Sequence, residues 1–204
     1  MRRIVVVLAA ALGGVAALAA GAWLYVTLTI ETPAYRVVAS DGARELRDYP
    51  AMVLAETRTQ GPRRAALGDG FRPLARYIFA SEREGQKIAM TAPVVQTGGP
   101  EGWTVGFVMP SEHELNSLPS PGPAPVSLRE APPARMAALR FSGVATDAAL
   151  AEREAELRGW MAAKGLAPSG PPIFAYYNDP WTPGPLRRNE VLIPVGAPAS
   201  AASG

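Results

Sequence analysis

Few residues in this chain have chemistry to offer. There is one histidine, His113, and no cysteine. His113 stands in Ser111-Glu112-His113-Glu114, a charged stretch just ahead of a proline-rich run. A nucleophilic enzyme needs a base held beside its nucleophile, and a metal site needs more than one imidazole between two glutamates. Neither set is spelled out around His113, so a solvated loop residue is the simpler reading. Without cysteine, disulfides, thiolate metal sites and cysteine nucleophiles are excluded, although the compartment is left open. Glu152, Glu154 and Glu156 alternate with Arg153 and Arg158, the pattern of a solvated helix face. Glu190 differs, because it interrupts an apolar strand just after Arg187-Arg188. An acid there is expected to pair with an arginine or to accept backbone donors. Gly68-Asp69-Gly70 lacks the strand-to-helix setting and the lysine of a phosphate loop.

The chemistry that remains is binding. Lys87-Ile88-Ala89-Met90-Thr91-Ala92-Pro93-Val94-Val95 is apolar on both faces of a two-residue repeat, with Lys87 the single charge at its mouth. That pattern predicts a strand covered on both sides or lining an apolar cavity, broken where Pro93 removes a donor. Just upstream, Leu67, Phe71, Leu74 and Ile78 recur at helical spacing. Helix residues facing Met90 and Met109 across a gap, with Lys87, Arg187 and Arg188 near strand ends, would suit a flat amphiphilic dicarboxylate. A porphyrin meets that description, as do bile-acid-like molecules and fatty acids. Plain core packing explains the same apolar residues.

The remaining elements must position these groups. Lys and Arg number 20 against 18 Asp and Glu, and no basic block stands out, which argues against nucleic acid as a partner. Residues 4–30 carry no charge, follow Arg2-Arg3, and exceed the roughly 20 residues needed to cross a bilayer. Trp23 and Tyr25 lie toward the far end, where interfacial aromatics are expected. The paired arginines put the N-terminus in the cytoplasm and the folded part outside, periplasmic or extracellular. Ala17-Leu18-Ala19 and Ala20-Gly21-Ala22 also fit signal cleavage, in which case the product is secreted. The uncharged run continues past both, which favours a retained anchor over residues 1–30. A domain over 31–195 and a disordered tail over 196–204 follow.

Within the domain, Asp41-Gly42 between alternating runs predicts a hairpin, and 51–57 a further strand. A helix is expected from about 70 to 80, since Gly68-Asp69-Gly70 and Pro73 weaken anything earlier. Strands over 103–109, 126–130 and 135–141 flank a connection containing Pro119-Ser120-Pro121-Gly122-Pro123-Ala124-Pro125. Thr146 or Asp147 caps a second helix reaching Lys164, stopped by Gly165. Strands at 173–177 and 188–193 close the chain. The order strand, helix, strand, strand thus occurs over 51–109 and again over 135–195, so two similar units can share one core.

Several of these stretches together resemble the SOUL/haem-binding protein family. They are Leu74-Ala75-Arg76-Tyr77-Ile78-Phe79 followed by Lys87–Val94, Trp103–Pro110, Leu118-Pro119-Ser120-Pro121, Arg140-Phe141-Ser142-Gly143, Tyr177-Asn178-Asp179-Pro180-Trp181-Thr182-Pro183, and Arg187-Arg188-Asn189-Glu190-Val191. They run in order from about Tyr35 to Val195. The resemblance implies an α+β fold, a distorted antiparallel β-barrel with two flanking helices and a pseudo-two-fold repeat of β-α-β-β units. It also implies a non-enzymatic haem or tetrapyrrole binder. The ligand groove would be lined by Phe71, Leu74, Ala75 and Ile78, with Met90 added on our own inference and Lys87, Arg187 and Arg188 toward the propionates. Some members use an axial histidine in a part of the chain where this one has none. His113 is therefore the single histidine candidate for that role, and no ligand role transfers to it. The leading hydrophobic segment is not a regular feature of the family and would tether this domain to a membrane.

Overall fold

The computed structural model describes residues 30–196 apart from 82, 100, 123 and 124, together with Gly21. The anchor expected over residues 1–30 and the tail expected after 196 therefore lie outside the described residues, except at Gly21 and Ile30. The chain divides into Met1–Glu31 and Thr32–Gly204, and the fold below is that of the second unit. No helix among the described residues is long and apolar enough to cross a membrane.

Nine strands form one antiparallel sheet. They are β1 (Arg36–Asp41), β2 (Arg44–Tyr49), β3 (Met52–Thr59), β4 (Val94–Gly99), β5 (Gly102–Val108), β6 (Ser127–Ala131), β7 (Ala134–Phe141), β8 (Ile173–Tyr176) and β9 (Asn189–Pro194). Two helices, α1 (Arg63–Ile78) and α2 (Asp147–Ala163), pack on it, α1 against β3 and β5, α2 against β7 and β9. The strand order is β1-β2-β7-β9-β8-β4-β5-β3-β6. Outward from the β8–β4 seam, β8-β9-β7 on one side answers β4-β5-β3 on the other, and β2 caps one half as β6 caps the other. The doubled order of elements is thus a doubled order in space.

The expected barrel does not close. Closure would need β1 to pair with β6, and both stay edges. β1 is exposed along its whole length, and its register slips between Val37 and Ala39. Such a bulge turns an edge away from further pairing.

Two other expectations need correction. The first helix begins at Arg63, before the Gly68-Asp69-Gly70 stretch, and carries Pro73 inside it. Packing overrides the weak propensity: Ala66, Gly70, Leu74, Tyr77 and Ile78 form a buried stripe. A Cβ on Gly70 would lie 2.6 Å from Val105, so only glycine lets the helix lie this close to β5. The expected strand at 87–95 is a strand only from Val94, and Lys87–Met90 have no ladder partners. The second helix matches its signals: Thr146 accepts a hydrogen bond from the Ala149 N–H at 3.1 Å, and Gly165 follows its end at φ +67°.

Candidate functional site

The expected groove residues of α1 divide into two neighbouring stripes. Leu74 and Ile78 are fully buried and pack with Val53, Ala55, Tyr77, Ile88, Val105, Phe107, Met109 and Leu118. They are core, and they back the helix surface instead of lining it. Their spacing is met by sheet side chains, which is the physical reason a groove between helix and sheet does not form around them. Phe71 and Ala75 are half-buried on the adjoining stripe. Four residues on, Phe79 caps the helix and is 46% exposed. Phe71 meets Phe107 edge to face at 5.3 Å, which fixes the ring at the border of the core.

The segment after α1 completes this shelf. The Ile88 N–H donates to the Ile78 carbonyl at 2.8 Å, docking the segment beside the helix end. Met90 is half-buried against the same cluster, and Lys87 is exposed. Arg83 braces the turn, donating to the carbonyls of Tyr77, Glu84 and Gln86 at 2.9 Å each while its guanidinium lies 5.0 Å from the Tyr77 ring. Phe71, Ala75 and Phe79 on the helix border, with Met90 against the core cluster and Lys87 just before Ile88, make up the candidate shelf. Phe79 was not among the expected contacts, and its signal was the spacing 71, 75, 79.

Arg187 and Arg188 are not brought to this shelf. Arg187 donates to the carbonyls of Thr182 and Pro180 at 2.7 and 2.6 Å. Arg188 donates to Glu190 at 2.8 Å and stacks 3.8 Å over the Tyr177 ring. Arg188 belongs to a cluster around Glu190, which is fully buried and accepts from Arg47 at 2.8 Å and from the Tyr177 hydroxyl at 2.8 Å. The expected pairing of Glu190 with arginine is met, with Arg47 as a second partner from β2. Burial alone would raise the Glu190 carboxyl, but the hydrogen bond and charge of Arg47, then those of Arg188, hold it below the usual carboxylate range. Burial pushes the Tyr49 phenol, beside Arg47, up to about 12. Both oxygens of Glu190 have donors, so the cluster reads as a structural tie between β2, β9 and the residue that follows β8.

His113 is half-buried in the loop after β5, with Glu112 at 3.7 Å. No group of three or more histidine or acidic side chains among the described residues could hold a metal ion.

The pattern of the SOUL heme-binding protein family matches residues 30–194, and the chain belongs to that family. No curated protein matches. Among solved structures, the chain is similar to the C-terminal domain of EcmrR at 12% identity and TM-score 0.57, covering 79% of this chain and 98% of that one. It is similar to EcmrR in its complex with DNA at 13% identity and TM-score 0.58, covering 74% and 56%. A hydrolase from Listeria innocua follows at 15% identity and TM-score 0.54, covering 78% and 94%. At such identities these likenesses concern the fold alone.

Proposed function

We propose that this protein binds haem or a related porphyrin on the outer shelf of α1, for carriage or sequestration and without catalysis. The macrocycle lies against Phe71, Ala75, Phe79 and Met90, with a propionate toward Lys87. Leu74 and Ile78 hold that surface from behind. Family membership over residues 30–194 carries the reading, and an apolar helix border ending beside an exposed lysine supports it. Residues 4–30 retain the domain at a membrane, on the non-cytoplasmic side, and cleavage there would secrete it. No nucleic-acid role is proposed.

A second reading keeps the fold and assigns the shelf to another small amphipathic ligand or to a protein, favoured because the chain has no histidine where some family members place an axial one. Titrating hemin into residues 31–204 separates the two. A saturable Soret shift at one equivalent is expected. A linear, non-saturating response would leave the second reading.

A further inference from the structure

We propose that the loop between β8 and β9 is a bilayer-contact element, in which Trp181 and Leu186, with Val144 beside them, enter the lipid headgroup region. The proposal rests on the reading of residues 4–30 as a membrane anchor. Trp181 is 91% exposed, Leu186 63% and Val144 50%. A Cβ on Gly184 would lie 3.5 Å from the Val144 side chain, and the Gly143 N–H donates to the Gly184 carbonyl at 2.9 Å. Val144 therefore adjoins the turn that carries Leu186.

The exposure of Trp181 is built in. The Asp179 carboxylate accepts from the Trp181 N–H at 2.7 Å, the Thr182 N–H at 3.0 Å and the Thr182 hydroxyl at 2.8 Å. Arg187 ties the far limb to the Thr182 and Pro180 carbonyls, and the Asn178 side chain accepts from the Arg188 N–H at 2.6 Å. Thr182 is buried while its neighbour Trp181 stands out. A loop fixed this thoroughly around an outward indole is organised for a contact outside the domain. Indole, with an apolar body and a polar N–H, belongs at the bilayer interface.

The chain itself points to the bilayer as the occupant. Four residues separate Ile30, the end of the uncharged run, from Tyr35, five steps with a covalent reach of at most about 18 Å. The Tyr35 ring lies 4.2 Å under the Arg47 guanidinium and 5.2 Å from the Tyr49 ring. Arg47 bonds Glu190, and Glu190 bonds Arg188 and Tyr177, the two residues that close the base of the loop. The chain thus enters the domain at the cluster from which the Trp181 loop rises. An uncharged run ending so few residues before Tyr35 is what favours lipid as the occupant.

The chain has no cysteine, so Leu186→Cys and Ser120→Cys each carry one polarity-sensitive dye on the full protein. Ser120 is the distal control: Pro119 bonds Tyr77 near the end of α1, whereas Ala145, next to Val144, bonds Arg63 at its start. That helix is about 24 Å long. In phosphatidylcholine/phosphatidylglycerol vesicles, the dye at 186 should shift to the blue and be quenched by lipids brominated near the carbonyls. The dye at 120 should do neither, and Trp181→Ala should reduce the response at 186. A protein that joins the vesicles while position 186 stays unshifted keeps the anchor and overturns the loop contact. A protein that does not join them overturns both. Equal responses at 186 and 120 overturn the proposal. So does a shift at 186 without vesicles that grows with protein concentration, which would mark a second copy as the occupant.

Discussion

Two glycines in one helix should respond oppositely to the same substitution. A Cβ at Gly68 meets nothing within 4 Å, whereas at Gly70 it falls 2.6 Å from both Cβ and Cγ2 of Val105 and 3.2 Å from Thr57. Val105 is fully buried and Thr57 nearly so, leaving little room to yield. Alanine at either site gains helix propensity, worth about 0.8–1 kcal/mol. That term cancels between the two variants, so their difference isolates the overpacking at Gly70, about 1–3 kcal/mol. Gly68→Ala should raise the unfolding free energy and Gly70→Ala should lower it or erase the gain. At roughly 2–4 °C per kcal/mol for a domain of this size, the melting temperatures should separate by several degrees. Urea unfolding of residues 31–204 measures the gap. If both variants gained equally, α1 would not lie flush on β5. A ligand held outside the helix–sheet contact would then lose its physical basis.

Glu190→Gln removes one of the two carboxylates paired with buried Arg47, leaving Glu45 at 2.6 Å, and should destabilise the domain by about 1–3 kcal/mol, seen as a lower urea midpoint. Because the folded carboxyl titrates below its ordinary 4.5, its stabilisation is present above that value and is lost as pH falls through the depressed folded one. The wild-type midpoint should therefore drop on acidification, and that part of the drop should vanish in Glu190→Gln. Thr146→Ala removes the cap of α2 and should cost about 1 kcal/mol by the same assay.

How much was legible in the sequence varied with how local the signals were. Asp41-Gly42, the Thr146 cap and the Gly165 stop are local, and the hairpin and second helix follow them. The front of α1 was misjudged because Gly68-Asp69-Gly70 and Pro73 oppose a helix locally, while the contact of Gly70 with Val105 comes from a strand more than thirty residues away. Lys87–Met90 alternate like a strand yet find no ladder, since β4 starts only after Pro93. At the site, both stripes of α1 are apolar. Nothing local distinguishes 74 and 78, which face the sheet, from 71, 75 and 79, which border it. Charge alone groups Arg187 and Arg188 with Lys87, whereas the loop carbonyls occupy Arg187 and Glu190 occupies Arg188.

The hemin affinity of Phe79→Glu in residues 31–204 puts the location of the ligand most directly at risk. Losing an aromatic contact worth about 1.5–3 kcal/mol should weaken binding roughly tenfold or more, with His113→Ala unchanged beside it. Binding of hemin by Phe79→Glu at wild-type affinity would contradict a porphyrin on this shelf.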